Sequence, residues 1–100
     1  MIFYIAGPMT GKEDFNRPEF MEVERFLKSA GHTVLNPAML PTDMRDEAYM
    51  PICMAMLEQA DVLYLLRGWE ASMGASIEKA YAEYQNKLVV YDTEVRYDLE

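Results

Sequence analysis

The sequence predicts an α/β fold on a parallel sheet, and two observations carry that prediction. Continuous apolar runs recur at residues 2–6, 62–66 and 88–91, as strands buried on both faces require. Between these runs lie stretches with helical apolar spacing, so strand and helix alternate along the chain.

Residues 2–6 are the first strand, closed by Gly7-Pro8-Met9-Thr10-Gly11-Lys12. The loop is not a phosphate-binding P-loop. Three residues rather than four separate its glycines, and Glu13 stands where Ser or Thr is needed. It reads better as a ligand wall of backbone groups at the carboxyl end of the strand. Asn16-Arg17-Pro18-Glu19 then opens the first helix with an N-cap residue, an early proline and a capping-box Glu. Phe20, Val23, Phe26, Leu27 and Ala30 form its apolar stripe, and Gly31 its C-cap.

Residues 33–35 are a short second strand ended by Asn36-Pro37-Ala38, and a loop runs on to Arg45. A loop of that length in a small chain suits a lid or a ligand contact. The second helix covers 49–59, with Pro51 in its first turn and an apolar face of Tyr49, Ile52, Cys53, Met56 and Leu57. Asp61 opens the third strand, 62–66. Ser72 is the N-cap of the third helix, whose core-facing stripe is Met73, Ile77, Ala80, Tyr81 and Tyr84. Residues 88–91 are the fourth strand. The acidic tail, 92–100, receives no firm structure but has room for an edge strand through Val95 and Tyr97.

The order βαβαβαβ predicts one domain over residues 1–100. Its expected form is a Rossmann-like (flavodoxin-like) parallel sheet of four to five strands, order 2-1-3-4, with helices on both faces. Ligands of such sheets bind where the strand order reverses, here outside the first and third strands. That topology brings Tyr4 or Gly7 beside Ser72 and Glu78.

Composition bounds the partners. A formal charge of −8 argues against a nucleic-acid polymer or an anionic membrane, and no apolar run approaches the ~20 residues of a spanning helix. The lone Cys53 cannot form an internal disulfide and fits a reducing, cytoplasmic setting. With one Cys and one His there is no ligand set for a metal, and no cofactor is expected. His32 reads as a surface or capping residue rather than a base. Nine methionines and seven tyrosines imply exposed apolar surface and hence a homo-oligomer, dimer or larger.

The chemistry centres on Glu78. Gly74 and Ala75 lie four and three residues before it, on the same helix face, and leave space over which its carboxylate can project. The result is a small pocket at a helix N-terminus, with a carboxylate and free N–H groups that favour an anion. A carboxylate can attack an electrophilic carbon, and a phenol such as Tyr4 can hold it. From the residue alone, an exposed helix glutamate, favourable near a positive helix end, is the preferred reading.

Four segments carry a resemblance: Tyr4-Ile5-Ala6-Gly7-Pro8-Met9-Thr10-Gly11, Asn36-Pro37-Ala38, Ala60-Asp61, and the run from Gly68 through Trp69, Ser72 and Gly74 to Glu78. Together they resemble a small phage and bacterial family (DUF4406-like) related to nucleoside 2-deoxyribosyltransferases and 2'-deoxynucleoside 5'-monophosphate N-hydrolases. The resemblance implies that Glu78 is a nucleophile toward the sugar C1' and that Tyr4 orients it. It places Gly7, with Pro8 and Met9, in a ligand-binding loop.

Ser72 stands where the transferases carry an aspartate for the sugar 5'-hydroxyl, as it does in the monophosphate hydrolases. Ser72 with the N–H groups of Gly74 and Ala75 would therefore cradle a 5'-phosphate. One position departs from the pattern. Cys53 occupies the site of the aspartate that helps protonate the leaving base, a role a thiol of pKa about 8.5 fills poorly. Asp43, Asp46 or Glu47 would supply that proton, or the protein is slow, or it binds its ligand without turnover. The expected ligand is a small nucleotide or nucleoside, and the expected reaction is N-glycosidic hydrolysis or the related transfer.

Overall fold

Strands β1 (Ile2–Ala6), β2 (Thr33–Leu35), β3 (Val62–Leu65) and β4 (Leu88–Tyr91) form one all-parallel sheet in the computed structural model, which describes residues 1–96. The order is β2-β1-β3-β4, as the alternation of elements predicts. Tyr4 pairs with Leu63 and Ala6 with Leu65 across the central β1–β3 ladder.

Period-two alternation divides the side chains of these strands between two cores. Phe3, Ile5, Val62 and Tyr64 pack on one face with Phe20, Val23 and Leu27 of α1 (Arg17–Ser29). Tyr4, Ala6, Leu63 and Leu65 pack on the other with Leu57 of α2 (Asp46–Gln59) and with Ala75 and Ala82 of α3 (Met73–Tyr84). Burying a side chain of Phe or Leu size contributes about 1.5–3 kcal/mol, so these two layers supply most of the driving force.

Several boundaries differ from the expectation. Helix α2 begins at Asp46 rather than Tyr49. Asp46 and Glu47 suit a first turn because acidic side chains favour the positive end of a helix. Pro51 consequently lies inside the helix and not in its first turn. Strand β3 ends at Leu65, one residue early, although Leu66 stays fully buried.

Of the stripe expected to face the core on α3, Tyr81 packs against it and the other four residues face outward. Met73 is 81% exposed, Ile77 48% and Tyr84 84%; Ala80 is also exposed and Tyr81 half-buried. Ala75, Glu78 and Ala82 are the buried residues instead. Small side chains let this helix lie close on the sheet, and Glu78 is carried inward with them.

The tail departs as well. Asp92–Val95 is a short helix, α4, and no edge strand passes through Val95; Tyr97 lies outside the described residues. Asp92 is fully buried and accepts hydrogen bonds from the Tyr64 hydroxyl and from Arg96 Nε at 2.6 Å. Arg96 also reaches Glu19 on α1. The i,i+4 Asp92–Arg96 pair favours a helical turn, and the buried Tyr64 hydroxyl gains an acceptor. Among the described residues no helix is long and apolar enough to cross a membrane.

Candidate functional site

A cavity of about 640 Å³ opens at the carboxyl ends of β1 and β3, where the strand order reverses. Tyr4, Ala6 and the loop from Gly7 to Thr10 form one wall. Phe15 and Arg17 approach at the start of α1, Asp46, Tyr49, Met50 and Cys53 from α2, and Ser72 to Ala75 with Glu78 from α3. The first turns of all three long helices therefore line one space. The dipoles of these helices give it a positive edge that complements an anion, although at α1 the Arg17 N–H already donates to the Asp14 carbonyl and Pro18 has none to offer.

Gly7 is required for packing. A Cβ there would sit 2.7 Å from Leu66 Cβ, closer than any two such atoms approach, so the ends of β1 and β3 can abut only at a glycine. Gly74 is different. A Cβ there would meet Met50 Sδ at 3.8 Å and Ser72 Oγ at 4.0 Å, ordinary contacts.

Ser72 caps α3 as expected, with its Oγ accepting from the Ala75 N–H at 3.1 Å. That bond uses the Ala75 donor, so the expected cradle of Ser72, Gly74 and Ala75 is reduced by one N–H. The Ser72 hydroxyl proton and the first N–H groups of the helix, Gly74 among them, remain to meet a ligand.

Tyr4 and Glu78 form the floor. Tyr4 is 1% exposed and Glu78 5%, and the phenol donates a hydrogen bond to Glu78 Oε2. Burial pushes the Glu78 carboxyl up to about 7, against the opposing effect of the Tyr4 bond, which favours the charged form. Burial, then the nearby Glu78 charge, holds the Tyr4 phenol well above its usual range. Tyr4 is thus a neutral donor and Glu78 a carboxyl poised between its two forms at neutral pH. Burial also raises the half-buried Cys53 thiol, with the Tyr4 hydroxyl opposing and the Glu78 charge reinforcing.

The three acids expected as proton donors to the leaving group separate. Asp46, at the start of α2, lines the cavity; Asp43 is exposed in the preceding loop and does not, nor does Glu47. Pro8 and Met9 line it. Among the described residues no cluster of His, Cys, Asp and Glu could hold a metal ion.

One part of the wall was not legible in the sequence. Asp14, Phe15 and Asn16 all have positive φ, at 50°, 53° and 61°. Asn16 consequently makes no side-chain cap to α1; its Nδ2 donates to the Pro8 carbonyl at 2.9 Å and ties this turn to the first loop. Asp and Asn tolerate left-handed backbone, which is a weak signal, but Phe gives none. The turn sets Phe15 and Arg17 on the cavity.

A family model described as a domain of unknown function (DUF4406) matches residues 1–91. The chain belongs to this family. No curated protein matches it. The match includes all four strands of this DUF4406 chain and every residue named above as lining the cavity. What the DUF4406 site can do follows from its parts. A buried carboxyl near neutrality can attack carbon when ionised or give up a proton when not. The helix starts around it favour an anionic ligand.

Proposed function

We propose that the chain cleaves the N-glycosidic bond of a (deoxy)nucleoside 5'-monophosphate, with Glu78 as nucleophile. The observation that carries this reading is the buried Tyr4–Glu78 pair at the floor of a cavity edged by helix N-termini. Ionised Glu78 attacks the sugar C1', the C1'–N bond breaks, and its electron pair leaves with the base. Asp46, the other carboxyl on the cavity, is the candidate to protonate that base. Water then attacks C1' of the glycosyl-enzyme and gives its proton to the Asp46 carboxylate; the bond from C1' to Glu78 breaks, which frees the sugar phosphate and restores Glu78. A second base in place of water gives transfer instead. Tyr4 keeps the carboxylate aimed, and Ser72 with Gly74 receives the phosphate. This reading agrees with the resemblance to the deoxyribosyltransferases and monophosphate hydrolases.

A second reading is nucleotide binding without turnover, and Cys53 favours it. A thiol kept neutral by burial faces the cavity where the hydrolytic reading calls for an acid.

The test is incubation with each deoxynucleoside monophosphate, with free base followed by chromatography. Release that vanishes in Glu78→Ala supports cleavage. Thermal stabilisation by nucleotides without release selects the binding reading. Neither response from any nucleotide rejects both. Ser72→Asp adds a second arm: aspartate is an equally good N-cap, so the fold should keep its melting temperature, while a phosphate is repelled.

A further inference from the structure

We infer that Arg17 is the anion anchor of the cavity and selects a phosphate monoester over the uncharged nucleoside. The inference rests on the nucleotide reading above and adds a residue to it.

Among the described residues Arg17 is the one basic side chain on the cavity wall. The same wall carries two carboxyl groups, Asp46 and Glu78, in a chain of formal charge −8. That field repels a phosphate unless a local cation offsets it.

The guanidinium is available. It is half-buried, yet it makes no hydrogen bond or ion pair with any described residue. Arg96 shows the contrast, since it reaches Asp92, Glu19 and Glu22. A half-buried guanidinium with no acceptor forgoes interactions that charged donors normally make.

Its place in α1 gives the fold no compensation. Arg17 is the first residue of the helix, where the backbone already presents positive charge and a cation is unfavourable. That arrangement adds the helix N-terminus to the guanidinium, both positive, at one edge of the cavity. The position is also fixed. Asn16 ties the preceding turn to the Pro8 carbonyl, and Pro18 follows. Since α1 and α3 pack on opposite faces of the sheet, Arg17 and Ser72 meet the cavity from opposite sides. A planar fork of donors there suits phosphate oxygens better than a sugar or a base edge.

Calorimetric titration of the full chain tests this with inorganic phosphate, with each deoxynucleoside monophosphate and with the matching nucleosides. Arg17→Gln should weaken the monophosphate and inorganic phosphate by about 10- to 100-fold and leave nucleoside affinity unchanged. Arg17→Lys should recover part of the loss. The melting temperature of Arg17→Gln should not fall, which separates an anchor from a structural arginine. Equal loss for nucleotide and nucleoside, or no loss for either, overturns the anchor while leaving the glycosidase reading standing. Arg17-dependent phosphate binding without any nucleotide binding keeps the anchor and rejects the nucleotide reading. Absence of any phosphate binding by the unaltered chain overturns the anchor.

Discussion

Tyr4 and Glu78 are 74 residues apart in sequence and share a buried hydrogen bond, phenol donating and carboxylate accepting. Parallel pairing of β1 with β3, and the short turn from β3 into α3, bring them together. The bond favours ionised Glu78 against the effect of burial. Tyr4→Phe removes that support without emptying the space around the ring. The Glu78 carboxyl should then rise above about 7 by roughly one to two pK units, the worth of one hydrogen bond to a charged group. If Glu78 is the nucleophile, the acidic limb of the pH–rate profile moves upward by the same amount. An unmoved limb would show that another group controls the reaction.

Stability should carry the same signature with a definite sign. Glu78 titrates near 4.5 in the unfolded chain and near 7 when folded. Burying its charge therefore costs nothing below pH ~4.5 and the full amount above pH ~7, about 3 kcal/mol at the quoted shift. Glu78→Gln keeps an oxygen for the Tyr4 hydroxyl and has no charge to bury. It should melt well above the parent at pH 8, and the two should converge near pH 4. Thermal melts across that range check it. A Gln variant less stable than the parent at pH 8 contradicts the assigned cost.

Two glycines of the cavity wall should respond oppositely to alanine. Gly7→Ala forces a methyl to within 2.7 Å of Leu66 Cβ, where backbone must shift. Overpacking of this kind costs about 1–3 kcal/mol. Gly74→Ala meets only ordinary contacts in the first turn of α3 and replaces the poorest common helix former, so stability should rise by up to about 1 kcal/mol. Denaturant midpoints of the two variants measure both. A tolerated Gly7→Ala would mean that the loop after β1 can move away from β3.

The sheet order and the meeting of Tyr4, Gly7, Ser72 and Glu78 were legible because they depend on backbone logic. Continuous apolar strands imply a parallel sheet, and a parallel sheet has its crevice at the reversal of order. The capping role of Ser72 was legible because it is local. What escaped depends on contacts between distant segments. The Asp92–Tyr64 bond joins β4's end to β3, and it converts an acidic tail into a helical turn packed against the α1 side of the core. Asn16 has good N-cap chemistry but makes a bond to Pro8 instead, and a left-handed turn results. Apolar size does not mark the inward face of α3. A helix lying close on a sheet needs Ala75 and Ala82 inward, and Met73, Ile77 and Tyr84 are left outside.

That inversion leaves a row of apolar side chains exposed on α3, where an oligomer of this chain would make its contact. Met73, Ile77 and Tyr84 lie four and seven residues apart on α3, all exposed, so they form one outward face rather than scattered singles. Single exposed apolar side chains are common on any protein, whereas an apolar row on one helix is what a second copy would cover. Light scattering at micromolar concentration should give a dimer or larger. Ile77→Glu should bring the mass to that of a monomer and leave the far-ultraviolet dichroism unchanged, since the residue is half in solvent and carries little of the core. A monomeric parent chain would rule out the oligomer. A dimer untouched by Ile77→Glu would move the interface away from this helix.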